Sequence, residues 1–425
     1  MASEEGPGRA GNVATRAVIA ALLGIVWLSF LTTLPATYQV QLNDFPAYYG
    51  AATSIANGAP EKLYGTDFKW FTNLPVVALL LRPLALMSYE QAWKFFWWLQ
   101  VVCFVATFGL LLHHVHRFFA PLTLPKFALA SVIFVSFAPL LRRCLVLGQT
   151  TPLMMLLFAL VLLWVRSGLP RLAGTVLGVI CTIKIPPILL IVLLALRRQV
   201  AVAVPALAVV LLGVVLSFAV FGSDLVGEFY ERVIADNFGR SQAAFNNQSL
   251  EGAFMRVFTD RGLADWTTVA RPTSVTLSVL GTGLALAALL LLRAPGFLRP
   301  NRAGEGAKPG NGAIELEAAI GVCLMLLLFP VVWMHYYLFL AVPITLLPFW
   351  WVDRDLPRPG WLVVLLAAGI LMASGAESHE NIYYAARETD LAFRWAQNRQ
   401  PIGALMLVIG LSFPLAAVAK QSRAA

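Results

Sequence analysis

Long apolar runs recur from one end of the chain to the other, and charged or proline-rich segments separate them. A membrane-spanning helix needs roughly 20 apolar residues, with about 17 as a lower limit. The chain is 59% hydrophobic and 12% charged, whereas a soluble domain carries about 25% charged residues. We therefore predict an all-α polytopic membrane protein with about twelve transmembrane helices. The predicted spans cover residues 17–36, 91–112, 126–141, 152–166, 171–183, 185–196, 201–221, 273–292, 315–331, 335–351, 360–373 and 402–418.

A stretch interrupted by prolines decides the predicted topology. Pro186 and Pro187 follow Lys184 closely, and proline removes a backbone donor and clashes with the preceding turn. We therefore interpret residues 171–196 as two short helices. With the N-terminus inside, this count leaves most basic residues in cytoplasmic loops, as the positive-inside rule requires. The predicted inside loops are 113–125, 167–170, 197–200, 293–314 and 352–359, together with the C-terminal tail.

The sequence predicts a single integral membrane domain over residues 1–425, in the inner (cytoplasmic) membrane with both termini in the cytoplasm. Residues 1–16 form a predicted cytoplasmic tail, and the apolar run after them is interpreted as a retained span. The net charge of +9 is explained by basic residues that anchor span ends, so no nucleic-acid partner is predicted. The predicted outside loops are 37–90, 142–151, 222–272 and 374–401, and residues 303–312 form a predicted flexible cytoplasmic linker.

The first outside loop places a carboxylate next to the membrane boundary. Asp44 follows the first span, and the apolar run 76–87 is too short to cross a bilayer, so it predicts an interfacial or re-entrant helix. Two interpretations of Asp44 follow from its position. It is either the N-cap of the next helix or a general base that takes a proton from an acceptor hydroxyl while an anomeric carbon is attacked.

Several short motifs occur in a fixed order along the chain. They are Asp44-Phe45-Pro46 with Tyr48-Tyr49, Asn73-Leu74-Pro75, Leu147-Gly148-Gln149-Thr150, Ile183-Lys184-Ile185-Pro186-Pro187, Asn247-Gln248-Ser249-Leu250-Glu251-Gly252 and Trp333-Met334-His335-Tyr336-Tyr337. In this order they resemble the DUF2029 group of GT-C glycosyltransferases, family 87. That group includes the polyprenyl-phosphate-mannose-dependent mannosyltransferases of the PimE type. The resemblance extends from about Asp44 to Pro343.

The resemblance implies a GT-C fold in which an aspartate on the first outside loop is the catalytic base, and Asp44 is the matching position. It also implies a polyprenyl-phosphate sugar donor, with mannose as the sugar, and inversion at the anomeric carbon. The implied acceptor is a glycolipid or glycan at the outer face, and no cofactor is implied. Independently of the resemblance, an outside Asp44 favours a lipid-linked donor, because nucleotide sugars are cytoplasmic. One departure is Val332-Trp333-Met334, where many relatives have Ser-Trp before the His-Tyr pair.

Four basic residues are candidates for binding the donor phosphate, whose departure requires its developing charge to be stabilised. Lys184 lies at a helix break inside the apolar region, where an ionisable residue is costly; the alternative is that it extends to the nearer interface. His335 begins a span at the outer edge, where an ordinary interfacial histidine is the alternative. Arg142 and Arg143 lie outside, against the positive-inside trend, and lipid headgroups are their alternative partners.

Five further residues of the shared motifs are candidates for substrate binding, although an aromatic belt at the membrane interface also explains tyrosines in such positions. They are Tyr48, Tyr49, Gln149, Asn247 and Tyr336.

The loop 222–272 contains carboxylates and amides that suit sugar hydroxyls, and aromatic rings that suit sugar faces. A solvated loop with amphipathic helices is the alternative. Residues 377–380 place two carboxylates around a histidine, which is an incomplete metal-ligand set. No metal site is therefore predicted, and the participation of a divalent cation is left open.

Three functional classes compete for this sequence. A lipid-dependent glycosyltransferase explains the outside juxtamembrane acid and the ordered polar motifs. A transporter or flippase of lipid-linked sugars also uses broken helices with charged residues, but it does not require the acid. A non-catalytic scaffold does not explain the motifs. We therefore predict a lipid-dependent glycosyltransferase that is surrounded by membrane lipids.

Overall fold

A computed structural model describes residues 7–38, 43–65, 71–119, 121–261, 263, 266–294, 313–375 and 397–424. These residues are mostly helical, and two short strands pair in the loop that follows α10. The helices are α1 Pro7–Tyr38, α2 Phe45–Ala56, α3 Pro75–Leu81, α4 Tyr89–Phe118, α5 Leu124–Ser136, α6 Ala138–Leu147, α7 Thr151–Arg166, α8 Pro170–Ile183, α9 Ile188–Leu196, α10 Val200–Phe229, α11 Asp236–Gly239, α12 Leu250–Phe258, α13 Thr273–Arg293, α14 Ile314–Leu328, α15 Ala341–Asp353, α16 Gly360–Ser374 and α17 Arg399–Ala424. Short 3-10 helices cover Pro60–Lys62, Arg82–Leu86 and Met334–Leu340, and a π-helix covers Tyr230–Ala235.

Six of the described helices are long and apolar enough to cross a membrane, or seven if the pair α5 and α6, bent by 43°, is one span. The chain is therefore a multi-pass membrane protein. A helix overlaps every predicted span, but α7, α8 and α16 are shorter than a full crossing. The count of about twelve spans and the outside juxtamembrane loop stay predictions. The linker 303–312 and residues 377–380 lie outside the described residues.

The predicted helix break at Lys184 is confirmed. Helix α8 ends at Ile183, Lys184 has extended backbone angles, and α9 begins at Ile188. Helix α8 packs closely against α10, since a Cβ atom on Gly178 would lie 2.5 Å from the Ala206 carbonyl oxygen. Small residues allow this approach of two backbones inside a membrane. The contact fixes the position of α8 beside α10, and the break at the end of α8 then determines where Lys184 lies.

The core and the periphery of the helix bundle differ sharply in burial. The span Met334–Asp353 is central, with 89% of its apolar stretch buried, whereas Thr15–Tyr38 and Thr273–Arg293 are peripheral, with 17% buried. The peripheral helices present large apolar side chains outward, as lipid-facing surfaces do. The N-terminal residues of the central span therefore lie among protein.

One end of the bundle contains a group of buried charges, here called the buried ion cluster. His114 Nε2 lies 2.9 Å from Glu315 Oε1, and Arg166 lies 3.8 Å from the same oxygen. Arg197 donates to Glu317 across 2.7 Å. Arg166 ends α7 and Arg197 follows α9, at the ends of these helices remote from Lys184 and Gln149. This end joins loops that the sequence predicts to be cytoplasmic.

The loop between α10 and α13 is fixed by backbone pairing. Strand β1, Arg240–Ser241, pairs antiparallel with β2, Val269–Ala270. The Arg256 guanidinium is fully buried and donates to the carbonyl oxygens of Ala244, at 2.9 Å, and Asn247, at 2.8 Å. The loop is therefore a folded cap rather than an irregular solvated segment.

Candidate active site

The Asp44 side chain points to the turn between α6 and α7 instead of capping its own helix. Asp44 occupies the N-cap position of α2, but its carboxylate makes no capping hydrogen bond. Its backbone N–H donates to the Leu147 carbonyl oxygen at 2.8 Å, which ties it to the end of α6. Its Oδ2 atom accepts a hydrogen bond from Gln149 Nε2 at 2.7 Å. The carboxylate is therefore oriented by tertiary contacts, and it is half-buried.

A left-handed turn places Gln149 beside Asp44. Gly148 ends α6 with φ 73° and ψ 47°, a backbone conformation that glycine adopts without steric cost. The N–H groups of Gly148 and Gln149 both donate to the Cys144 carbonyl oxygen, at 2.8 and 3.0 Å. The turn brings the Gln149 side chain back across the end of α6.

The Gln149 amide joins a carboxylate to a cation. Its Oε1 atom accepts from Lys184 Nζ and from the Tyr48 hydroxyl, both at 3.2 Å, while its Nε2 donates to Asp44. The amide therefore lies between the two charges, with its positive end toward the carboxylate and its negative end toward the ammonium group. We call Asp44, Gln149, Lys184 and Tyr48 the site network.

Lys184 is buried, with 8% of its surface exposed, and does not extend to an interface. Its Nζ lies 5.6 Å from the centre of the Tyr336 ring and 6.0 Å from that of Tyr48. Aromatic faces stabilise a cation at these distances, but within the described residues Lys184 has no ion pair with a carboxylate. Its charge is accommodated without being neutralised, and it stays available to an anionic ligand.

The site network opens onto a cavity of about 480 Å³. Arg143 and His335 also line this cavity, so three basic residues predicted to bind phosphate meet there. His335 is 3% exposed, and its Nε2 atom has no hydrogen-bond partner among the described residues. Buried polar atoms are rarely left unpaired in native proteins. The unpaired His335 nitrogen is therefore a candidate to form a hydrogen bond with a molecule in the cavity.

Two asparagines and two tryptophans add a neutral part to the cavity lining. The Oδ1 atoms of Asn73 and Asn246 are buried and unpaired among the described residues. The Asn73 amide also donates to the Ile183 carbonyl oxygen, next to Lys184. The Trp266 and Trp333 rings lie 6.2 Å apart at 39°. Sequence reasoning included Asn246 only among the loop amides suited to sugar hydroxyls. It missed Asn73 as a ligand-binding residue, although Asn73 lies in a shared motif, and it missed Trp266, which no motif marks.

The remaining predicted site residues lie outside the described cavity lining. Arg142 is exposed next to the lining residue Arg143. The Tyr49 hydroxyl donates to the Met87 carbonyl oxygen at 2.9 Å. The Asn247 side chain is fully buried and connects its loop to Pro330 and Val332. Tyr336 contacts Lys184 through its ring. Substrate roles for these four residues stay predictions, and their present contacts are with protein.

Glu251, another buried carboxylate of the outer loop, is engaged by protein groups. Its Oε1 accepts from the Ser241 hydroxyl at 2.6 Å, and its Oε2 lies 2.9 Å from Arg271. Burial raises the pKa of Glu251, and the contacts with Ser241 and Arg271 oppose that rise. Glu251 therefore stabilises the loop, whereas Asp44 is the carboxylate of the cavity lining.

Among the described residues, no group of three His, Cys, Asp or Glu side chains is arranged to hold a metal ion.

The cavity combines the groups required for displacement at a carbon that bears an anionic leaving group. The Asp44 carboxylate can accept a proton. Lys184 and Arg143 can stabilise negative charge that develops on a departing oxygen. Because the amide of Gln149 separates Asp44 from Lys184, proton acceptance and anion stabilisation need not cancel each other.

The family model for glycosyltransferase family 87 matches residues 71–308, which is more than half of the chain. The match includes Arg143, Gln149, Lys184 and Asn246, while Asp44 and His335 lie on either side of it. No curated protein matches the sequence significantly. Among solved structures, the chain is similar to the crystal structure of ArnT from Cupriavidus metallidurans bound to undecaprenyl phosphate, at 14% identity over 96% of this chain and 77% of that one. The TM-score is 0.44, which is too low to establish a shared fold.

Proposed function

This chain belongs to glycosyltransferase family 87, and from that premise we propose that it transfers a hexose from a polyprenyl-phosphate donor. Mannose is the sugar that the motif resemblance favours. The acceptor is a lipid or glycan on the outer face of the cytoplasmic membrane. The chain's several membrane-crossing helices support a donor that resides in the bilayer.

One observation carries the proposal. The Asp44 carboxylate and the Lys184 ammonium group line one cavity, and a single amide holds both by hydrogen bonds of 2.7 and 3.2 Å. Sugar transfer from a lipid phosphate needs a base for the acceptor hydroxyl and a cation for the leaving phosphate within reach of one anomeric carbon. The shared cavity and the shared amide support these two roles for Asp44 and Lys184, although the residues are far apart in the sequence.

The proposed reaction is a single displacement. The acceptor oxygen attacks the anomeric carbon as Asp44 takes the hydroxyl proton. The bond between that carbon and the phosphate oxygen breaks, and polyprenyl phosphate leaves with the bonding electrons. Lys184 and Arg143 stabilise the charge on the leaving group, and His335 contributes a further polar contact. Attack opposite the leaving group inverts the anomeric centre, and Asp44 later releases its proton to solvent.

The decisive experiment compares wild type with Asp44→Asn in nanodiscs, using radiolabelled polyprenyl-phosphate mannose and a membrane lipid extract as the source of acceptor. We expect transfer by wild type and a rate about 10²- to 10⁴-fold lower in the variant, since general base catalysis contributes that much. Asp224→Asn is a matched control, because Asp224 is exposed and lies outside the cavity lining.

Two results would contradict the proposal. Equal transfer by wild type and Asp44→Asn would remove Asp44 as the base. Absence of transfer by wild type from mannose, glucose and galactose donors alike would remove the polyprenyl-phosphate donor. Thermal unfolding of each variant shows whether a low rate comes from misfolding.

A further inference from the structure

The peptide group that joins Ile183 to Lys184 lies at the break after α8, where a distant side chain replaces a helical hydrogen bond. In an uninterrupted helix the Ile183 carbonyl oxygen would accept from the N–H group four residues later. That residue is Pro187, which has no N–H group. The Asn73 side-chain amide donates to this oxygen instead, although the two residues are 110 positions apart.

We propose that Asn73 is a positioning residue for Lys184, because it fixes the backbone from which the Lys184 side chain extends into the cavity. The inference rests on the proposed function, in which the positioned ammonium group stabilises the leaving phosphate. Asn73 then affects the reaction through Lys184 rather than through contact with the reacting atoms.

Both ends of this peptide group are bound. The Lys184 N–H donates to the Ile180 carbonyl oxygen at 2.9 Å, and the Ile183 carbonyl oxygen accepts from Asn73. Because a peptide group is planar, the two hydrogen bonds fix its orientation and therefore the position of the Lys184 Cα atom. Lys184 has extended backbone angles, φ −138° and ψ 129°, so the regular helix no longer determines its position.

The location of the Lys184 ammonium group depends on where its flexible side chain begins. Among the residues that the structure describes, no carboxylate pairs with Lys184 to hold the charged end. The Gln149 Oε1 atom accepts from Nζ at 3.2 Å. With Asn73 at the backbone and Gln149 at the ammonium group, the side chain is held at both ends. A group that stabilises developing charge is most effective when it is preorganised in this way.

Asn73 is itself held in place. It is 2% exposed, and its carbonyl oxygen accepts a hydrogen bond from the Tyr64 hydroxyl at 2.6 Å. Leu74 has φ −56° and ψ 141°, as the residue before a proline prefers, so Asn73 stays outside α3. Its Oδ1 atom has no hydrogen-bond partner in the described part of the chain, and the bond to Ile183 therefore orients the amide.

Helix α10 supports both sides of this contact. A Cβ atom on Gly213 of α10 would lie 3.0 Å from Thr182 Cγ2 and 3.5 Å from Leu74 Cδ2. These two residues are the neighbours of Ile183 and Asn73 in the chain. Because the end of α8 and the segment before α3 both pack on α10, removal of the Asn73 amide should leave the fold in place and loosen the backbone locally.

The first test measures the Lys184 amine without turnover. Wild-type and Asn73→Leu proteins in nanodiscs react with N-hydroxysuccinimide acetate, and mass spectrometry gives the acylation rate of Lys184 relative to the exposed Lys62. Leucine has a similar volume and lacks the donor. A released side chain meets the reagent more often, so we expect the Lys184 rate to rise about 3- to 10-fold, the factor that corresponds to one hydrogen bond.

Thr107→Val is the matched control, since the buried Thr107 hydroxyl donates to the Cys103 carbonyl oxygen at 2.7 Å, outside the cavity lining. It also loses a buried donor to a backbone carbonyl, and its Lys184 rate should match wild type. Asn73→Ala lacks the donor too and gives the same measurement if Asn73→Leu does not fold. Equal Lys184 rates in wild type and in the folded Asn73 variant would overturn the proposal.

Kinetics in the transfer assay separate positioning from packing. Asn73→Leu should lower kcat about 10- to 100-fold, which is part of the effect of a preorganised charge, and should leave the KM for acceptor unchanged. Asn73→Gln retains an amide donor and should lose less activity. A lower unfolding temperature with the wild-type kcat would show that Asn73 only completes the helix end, and this result would overturn the proposal.

A double-mutant cycle tests whether the effect passes through Lys184. In the Lys184→Met background, Asn73→Leu should lower kcat no further, because no ammonium group is left to position. Losses that multiply would show that Asn73 acts independently of Lys184 and would overturn the proposal. If wild type transfers no sugar, the proposed function fails, and the acylation rates alone decide whether Asn73 positions Lys184.

Discussion

Two of the buried polar groups among the described residues differ in how they accommodate charge. In the buried ion cluster, carboxylates contact basic side chains directly, as in the 2.7 Å contact between Arg197 and Glu317. In the site network, the Gln149 amide stands between Asp44 and Lys184. Direct pairing neutralises the charges, so these side chains serve to stabilise the folded structure. An interposed neutral group positions charges and leaves them able to act on a substrate.

The buried ion cluster and the site network also differ in how deeply their carboxylates are buried. Glu315 is fully buried, so each of its charged neighbours depends on it for compensation. Asp44 is only half-buried and faces a cavity, so its charge is partly stabilised by solvent. Substitutions in the buried ion cluster should therefore reduce stability more than the catalytic rate per folded molecule. Substitutions in the site network should show the reverse.

The largest effect should come from Glu315→Ala. Removing one member of a buried ion pair typically costs about 3–5 kcal/mol, because the remaining charges lose their compensation. We expect a large fall in the thermal unfolding temperature measured in nanodiscs, with sugar transfer per folded molecule nearly unchanged. Glu90→Ala is the control, since the Glu90 side chain is 71% exposed and pairs with Lys94 at the surface, where an ion pair contributes little to stability. An unchanged unfolding temperature would contradict the structural role of the cluster.

Lys184→Met should produce the next largest effect, on catalysis. Loss of a preorganised group that stabilises developing charge lowers rates about 10²- to 10³-fold, and this variant should keep the wild-type unfolding temperature. Lys184→Arg keeps the charge and should recover part of the activity. A variant that transfers sugar at the wild-type rate would show that the phosphate is stabilised elsewhere, with Arg143 as the alternative.

Gln149→Met tests the interposed amide itself. The thioether has a similar length but cannot donate to Asp44, and hydrogen bonds to charged groups contribute about 1.5–3 kcal/mol. We expect kcat to fall about 10- to 100-fold. The unfolding temperature should change little, because the thioether fills a similar space. A fall in stability with an unchanged kcat would identify Gln149 as a packing residue only.

Gly148→Ala should have the smallest effect of the series. A left-handed conformation costs an alanine about 1–2 kcal/mol, so we expect a modest fall in unfolding temperature together with a lower rate, since Gln149 follows the turn. Gly109→Ala is the control: Gly109 lies within α4, and a Cβ atom there would have no neighbour within 4 Å. Equal behaviour of the two variants would show that the turn does not position Gln149.

Much of the fold follows from local sequence. Apolar runs predicted where helices lie, and Pro186 with Pro187 predicted the break after α8, because proline acts on its own turn. Helices shorter than a full span were harder to interpret, since hydropathy alone does not tell whether α7 and α8 cross the membrane. Burial among neighbouring helices decides this, and burial depends on the whole bundle.

The sequence marks several residues of the candidate cavity one by one, but it does not show how they contact each other. The motif resemblance marked Asp44, Lys184 and Gln149, yet the contact of Gln149 with Asp44 joins residues 105 positions apart. A periodic sequence pattern does not predict a contact between residues that are so far apart in the sequence. Likewise, Arg166 and Arg197 look like anchors of span ends in the sequence. Their buried contacts exist because α14 brings Glu315 and Glu317 to them.

The close contact between α8 and α10 has a mechanical consequence. Both helices lead to the cavity: α8 ends beside Lys184, and α10 leads into the loop that contains Asn246 and Trp266. Two helices whose backbones are in contact move together. Gly222 interrupts α10 beyond that contact, with φ 79° and ψ 175°. The cation therefore stays fixed to this pair of helices, and Gly222 is the point at which the chain bends away from the pair toward the loop that contains Asn246 and Trp266.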